Sequence, residues 1–132
     1  MAQRITIIKL RQPQNEEINA QLQWLGNSLG LFSDRDKDRS CFRLFIELVN
    51  SSRKNEGLTS DALAHKLHLT RATVVHHLHK LLDSGIIIHE HNHYLLRDRK
   101  LQAVIAELQK DIDRTYADLI AVAKALDSRL GL

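Results

Sequence analysis

Histidines offer the most chemistry in this chain, and all eight of them lie between His65 and His93. Three of them, His89, His91 and His93, alternate with other residues in one short segment, and neutral imidazoles are good zinc ligands. Alternation across a tight turn does not by itself bring three side chains to one point. We therefore expect no metal or other cofactor and interpret the segment as exposed and phosphate-contacting, with a metal site as the alternative.

Catalytic chemistry is not indicated. Cys41, the single cysteine, lies among apolar residues at helical spacing with no histidine nearby in sequence. No Gly-rich phosphate loop or nucleophile motif accompanies it, so we expect a protein that is not an enzyme. One cysteine also excludes an internal disulfide and a cysteine-built zinc site, which favours a reducing, cytoplasmic location. The apolar runs are too short to span a membrane, and no signal peptide is indicated.

The formal charge of +3 is only mildly basic, so net charge alone does not establish a nucleic-acid partner. Residues 58–100 hold six Lys and Arg against four Asp and Glu, which leaves 13 of the 19 basic and 12 of the 16 acidic residues elsewhere. Positive charge is therefore concentrated in the histidine-rich middle of the chain. Because histidines gain charge as the pH falls, we expect low pH to tighten polyanion binding.

A helix with two different faces is predicted between Thr70 and Gly85. Its packing face recurs at helical spacing and comprises Val74, Leu78, Leu81 and Leu82. Its free face has few of the Glu/Lys pairs that usually cover a solvated helix, and offers groups suited to base edges and phosphates. The residues of that free face are Arg71, Val75, His76, His79 and Asp83. His77, near the packing face, is expected to be packed and hydrogen-bonded.

A short helix from Ser60 to about Leu67 is predicted just before it. The hydroxyl groups of Thr59 and Thr70 are suited to cap these two helices, and two capped helices joined by a short turn are typical of a helix-turn-helix. After Gly85 the sequence IIIHEHNHYLL predicts two short strands around a His91-Asn92 turn, a small hairpin or wing.

Two further elements precede this region. Residues 1–13 predict a strand or extended arm that must pair with a wing strand, cross to a partner subunit or stay loosely attached. A first helix is predicted from Gln14 to about Leu31, with Asn15 as its cap. A second helix, from about Asp38 to Asn50, presents Cys41 beside an apolar stripe of Phe42, Phe45, Ile46 and Val49.

The last segment, residues 98–132, carries a heptad pattern and predicts a helix of about 30 residues, or about 45 Å. A domain of this size cannot cover such a helix, so we expect it and the first helix to pack against a second copy. The predicted dimer interface is Ile18, Leu22, Leu25, Leu29, Leu101, Ile105, Leu108, Ile112, Leu119, Val122 and Leu126. The predicted fold is mainly α with a small β-hairpin, in three parts: the arm 1–13, a winged helix-turn-helix domain 14–97, and the dimerisation helix 98–132.

The segment LHLTRATVVHHLHKLLDSGIIIHEHNHYLL resembles the helix-turn-helix and wing of ArsR-type winged-helix transcriptional regulators, and MarR-like regulators share its spacing. Thr73-Val74, His76-His77-Leu78, Leu81 and Gly85-Ile86-Ile87 fall where that family has TVxHHLxxLxxxGLI, while Tyr94 and Leu96 match the returning strand. The resemblance implies a homodimer that inserts two recognition helices into successive major grooves of double-stranded DNA, about 34 Å apart.

Carried over position by position, the resemblance implies a set of DNA contacts. Arg71 is the best candidate for a bidentate guanine contact, and Val75 for a thymine methyl group. The full set is Thr59, Thr70, Arg71, Ala72, Thr73, Val75, His76, His79, Lys80, His91, Asn92 and His93. The cysteine pairs or the carboxylate and histidine sets of the family's metal sensors are missing here, and no effector is indicated. A protein-interaction module and a metal- or ligand-responsive sensor remain as alternative functions.

Overall fold

A computed structural model describes residues 2–32, 36 and 38–132. This part of the chain forms five helices and one antiparallel hairpin, which confirms the prediction of a mainly helical chain with a small β-hairpin. The elements are α1 Ile18–Ser28, α2 Ser40–Arg53, α3 Ser60–Leu67, α4 Arg71–Ser84, β1 Ile87–Glu90, β2 His93–Leu96 and α5 Leu101–Leu130.

The core is built around α2, which contacts α1, α3, α4 and β2. Its fully buried stripe is spaced i, i+3, i+4 and i+7, and consists of Cys41, Leu44, Phe45 and Leu48. The stripe predicted from the sequence was partly wrong, because Ile46 and Val49 are only half-buried. The apolar residues of α2 extend around more than one face of the helix. Which of them are buried depends on where the neighbouring elements pack against it.

Helix α1 is shorter than predicted at both ends. It begins at Ile18, and Asn15 does not cap it, because the Asn15 side chain accepts the N–H of Glu17 at 2.7 Å, before the helix starts. At the other end Gly30 adopts a φ of 69°, and the N–H of Leu31 donates to the carbonyl of Gly26 at 2.9 Å. This Schellman turn takes Leu31 out of the helix and into the core.

Helices α3 and α4 have the predicted bounds and caps. Thr59 Oγ1 accepts the N–H of Ala62 at 3.0 Å, and Thr70 Oγ1 accepts the N–H of Thr73 at 3.2 Å. A three-residue turn joins the helices, and Gly85, at a φ of 83°, ends α4. The apolar faces of both helices enter the core through Leu63, Leu67, Val74, Leu78 and Leu81.

Removing the Thr70 hydroxyl should lower the free energy of unfolding by about 1 kcal/mol. In Thr70→Ala the N–H of Thr73 loses its side-chain acceptor, whereas Thr70→Ser keeps that acceptor and should retain most of the stability. Urea denaturation of both variants beside the parent measures the difference. Equal stability of Thr70→Ala and the parent would show that this cap contributes nothing.

The hairpin pairs Ile87 with Leu96 and Glu90 with His93. Its two turn residues, His91 and Asn92, both adopt positive φ, at 48° and 66°. Two consecutive left-handed residues define a type I′ turn, whose twist matches that of the strands. The predicted hairpin about a His91-Asn92 turn is therefore confirmed. On its other edge β2 exchanges two backbone hydrogen bonds with Leu58, which fixes the hairpin to the segment before α3.

The N-terminal arm is extended, and residues 2–17 include no strand. It follows none of the three predicted courses, because it is docked along helices of its own chain. The backbone N–H of Arg4 donates to the carbonyl of Asp83 at 2.8 Å, and that of Ile8 donates to the carbonyl of Ser28 at 2.7 Å. The helix-end carbonyls of α4 and α1 thus replace a strand edge as partners of the arm.

Helix α5 is covered only along its first third. Val104, Leu108 and Asp111 are buried, whereas every residue from Asp113 to Leu130 is exposed. Eighteen exposed residues extend about 27 Å at 1.5 Å per residue. Among the described residues, no helix combines the length and the apolar character needed to cross a membrane.

Candidate nucleic-acid interface

The face of α4 turned away from the core holds most of the predicted contact residues. Val74, Leu78 and Leu81 are fully buried, so the helix is anchored on one side. Seven predicted contacts lie on α4. Four of them are exposed: Arg71, Ala72, His76 and His79. The other three are half-buried: Thr73, Val75 and Lys80. Two of the remaining contacts are the cap residues, exposed Thr70 and half-buried Thr59. The last three are exposed on the hairpin: His91, Asn92 and His93.

Arg71 stands at the first position of α4 with its guanidinium facing solvent. Its Nε lies 3.7 Å from Asp61 Oδ1, and both side chains are about three-quarters exposed. An ion pair this exposed contributes roughly 0–1 kcal/mol, so a stronger anionic or hydrogen-bonding partner can replace Asp61. The geometry leaves Arg71 free to reach a base edge.

His77 belongs to the packing side of α4, as its position in the sequence predicted. Its Nε2 lies 2.7 Å from the hydroxyl oxygen of Ser40, and that hydroxyl group is 3.1 Å from Asp36 Oδ1. Burial lowers the pKa of His77 from its ordinary value, which favours the neutral ring. His77 therefore couples α4 to the start of α2 and is not placed to contact DNA.

The hairpin histidines make different contacts. The ring of His89 stacks on that of Tyr94, with centroids 4.1 Å apart and planes 5° apart. Nδ1 of His93 lies 2.8 Å from the backbone oxygen of His91. Within the described ranges, no three His, Cys, Asp or Glu side chains are grouped closely enough to hold a metal ion.

Cys41 has the environment of a structural thiol. It is 2% exposed, and its Sγ donates to the carbonyl of Leu31 at 3.3 Å. Burial raises the pKa of the thiol to about 12, so almost none of it is thiolate at neutral pH. A nucleophilic role for Cys41 finds no support in this geometry.

A buried carboxylate, which the sequence did not indicate, joins three parts of the chain. Asp111 of α5 forms an ion pair with Arg97, just after β2, at 2.5 Å, and with Arg114 at 2.5 Å. Gln3 of the arm also donates to Asp111 at 3.0 Å. Hydrogen bonds from Arg97 and then Gln3 lower the pKa of Asp111 to about 2. Only the i, i+3 spacing of Asp111 and Arg114 was visible in the sequence.

The predicted dimer residues divide into three groups. Ile18, Leu119 and Val122 are 74%, 61% and 59% exposed, and Ile105 and Leu126 are exposed as well. A second group is half-buried. It consists of Leu22 and Leu25 of α1, Leu29 just after α1, and Leu101 and Ile112 of α5. Leu108 lies apart, because it is only 3% exposed and packs inside the core of its own chain.

The structure adds further exposed apolar residues and a groove to the predicted dimer surface. Tyr116, Ile120 and Leu130 are also large, apolar and exposed on α5. A groove of about 430 Å³ runs between the arm, α1 and the first residue of α5, with Pro13 and Trp24 among its lining residues. The chain therefore has an open groove beside α1 and a set of large apolar side chains on α5 that no other part of the described chain covers.

Comparisons of the chain with protein-family models, with curated proteins and with solved structures returned no significant match.

Proposed function

We propose that this protein is a winged helix-turn-helix regulator of transcription, similar to ArsR-type regulators, that binds double-stranded DNA as a homodimer. The observation that carries the proposal is the face of α4 with exposed Arg71, His76 and His79. On the packing side of the helix, Val74, Leu78 and Leu81 are fully buried and Leu82 is half-buried. A helix fixed in this way, between a capped neighbour and a hairpin, has the form that enters a major groove. A DNA partner and a single reduced cysteine both favour a cytoplasmic location.

Binding would combine two kinds of contact. Arg71 can donate two parallel hydrogen bonds to guanine, and the methyl groups of Val75 can contact thymine, so these residues would read sequence. The exposed residues of the hairpin turn, His91 to His93, and the cap residue Thr70 would contact phosphates, which set position and affinity without reading sequence. Affinity should therefore fall steeply with salt concentration.

The experiment begins with selection of bound sequences from a random duplex library, followed by anisotropy titrations on the preferred duplex. Arg71→Ala and His76→Ala should each weaken binding by about 1–3 kcal/mol and relax selectivity at the contacted base pair. Arg129→Ala and His65→Ala, which remove the same side chains from exposed positions elsewhere on α5 and α3, are the matched controls. Unchanged affinity of both α4 variants would show that this face does not read DNA.

The exposed length of α5 also favours a second candidate, a protein-interaction module whose long helix pairs with a different chain. The two functions differ in what the isolated protein does. A regulator should be a stable dimer by light scattering and should bind duplex DNA. An interaction module should be a monomer without duplex affinity.

A further inference from the structure

The N-terminal arm and α4 enclose a cavity of about 500 Å³. Arg4 and Thr6 line it from the arm, and His76, His79 and Lys80 line it from α4. Three residues of the free face of α4, His76, His79 and Asp83, therefore also line this cavity. The arm thus extends the candidate DNA-binding surface beyond the helix-turn-helix.

The arm is held at a defined position along α4. Gln3 Nε2 donates to the carbonyl of Ser84 at 3.3 Å and to Asp111, and the backbone N–H of Arg4 donates to the carbonyl of Asp83. Further along, the methyl group of Thr6 lies against Gly30, where a Cβ would come within 3.1 Å of the Thr6 Cβ. The position of Arg4 is therefore fixed by its neighbours on both sides, while its side chain stays exposed.

The polar side chains around the cavity are predominantly hydrogen-bond donors with positive charge. Arg4 and Lys80 are cations, and the rings of His76 and His79 each supply an N–H. Asp83 is the one acidic residue among the described residues that line it. In the part of the chain that the structure describes, none of these four donor side chains forms a hydrogen bond or an ion pair with another residue.

The cavity also lies on a definite side of α4. Lys80 lines this cavity and not a second one beside the hairpin residues Ile87 and Ile88, whereas Leu82 lines only that second cavity. Asp83 lines both cavities, and Gln3 of the arm also borders the second one. Residues two apart on a helix project about 200° from each other. The exposed face of α4 is therefore flanked by the hairpin on one side and by Arg4 on the other. A helix in the major groove has a phosphate backbone on each of its two sides.

We propose that Arg4 and Lys80, with His79 beside them, form a site for a backbone phosphate of the DNA strand that borders the groove on the arm side. This inference rests on the proposed DNA-binding function and adds the arm to it. Phosphate is the chemistry that fits, because Arg4 and Lys80 line one cavity at the edge of the exposed face of α4, and these two cations outweigh the single carboxylate of Asp83.

The test is an anisotropy titration of the full chain with preferred and unrelated duplexes at several salt concentrations. Arg4→Ala should weaken binding to every duplex by a similar factor, about fivefold to tenfold, and reduce the slope of log affinity against log salt by about 0.9. Lys80→Ala should do the same. Because both side chains contact one phosphate, the loss in the double variant should be smaller than the product of the two single losses.

Arg129→Ala, with the same change of charge at the far end of α5, should leave affinity and slope unchanged. If the parent binds duplex DNA and Arg4→Ala binds with the same affinity and slope, the arm site is refuted while the proposed function stands. If the parent binds no duplex, both are refuted. Saturable binding of inorganic phosphate that depends on Arg4, with duplex affinity independent of Arg4, would assign the cavity to a small phosphate ligand and overturn the backbone assignment.

Discussion

Replacing Leu119 and Val122 together with glutamate is expected to convert a dimeric protein into a monomer and to lower its affinity for a two-half-site duplex by about 100-fold or more. Both side chains are more than half exposed on the isolated chain, so glutamate there costs the monomer little. In a paired helix the same positions would be buried, and two carboxylates per chain would be desolvated without partners. A monomer contacts only one half-site at a time, so the increase in affinity that comes from binding two linked half-sites is lost.

Light scattering across a concentration series measures the first effect, and duplex titration measures the second. Circular dichroism should show that the α-helical content of the rest of the chain is retained. Ala117→Glu with Ala121→Glu adds the same charge to two exposed positions whose midpoint lies about 150° around α5 from the midpoint of Leu119 and Val122. That control should remain dimeric and bind DNA as the parent does. A Leu119/Val122 variant that stays dimeric would show that α5 does not mediate self-association.

Asp111→Asn is expected to give the largest loss of stability among single polar substitutions, about 2–3 kcal/mol at neutral pH. The carboxylate is buried and accepts hydrogen bonds from Arg97, Gln3 and Arg114. The amide leaves Arg97 with only its longer ion pair to Glu107, at 3.8 Å. The loss should be smaller than for a fully buried ion pair, because Arg114 is 72% exposed and water replaces part of its interaction. Urea denaturation at fixed protein concentration measures the loss.

The pH dependence provides a second signature of Asp111. Its pKa is lowered from 3.8 to about 2 in the folded protein, so its carboxylate stabilises the fold above about pH 4. That stabilisation is lost as the pH falls through about 2. The difference in unfolding free energy between the parent and Asp111→Asn should therefore shrink between pH 4 and pH 2. Asp113→Asn, an exposed position on the same helix, should show neither effect, and a difference independent of pH would contradict the assignment to charge.

The ion pair also connects the two parts of the proposed DNA surface. Asp111 holds Gln3, whose neighbour Arg4 belongs to the arm cavity, and it holds Arg97, which follows the second strand of the hairpin. Asp111→Asn should therefore loosen the arm as well as the hairpin. Faster amide hydrogen exchange at Arg4, whose N–H donates to Asp83, would report the change at the arm directly.

The sequence predicted most features that depend on local chemistry, with the Asn15 cap as an exception. The caps Thr59 and Thr70, the stop at Gly85 and the turn at His91 and Asn92 are all found in the structure, because cap and turn preferences act over three or four residues. The two faces of α4 follow equally from helical spacing, and so does the position of His77 on the packing side. The candidate reading face of α4 is therefore encoded within a single helix of the sequence.

Tertiary structure alone decided how distant segments meet. The arm docks on the ends of α4 and α1, and Gln3 reaches Asp111 across 108 positions, which no local pattern encodes. Leu108 fits the heptad of an interface yet enters the core of its own chain, in the same buried cluster as Leu81 and Ile87. Periodicity shows that a face is apolar, but only the packing of the other elements determines whether that face is covered within the chain or left for a partner.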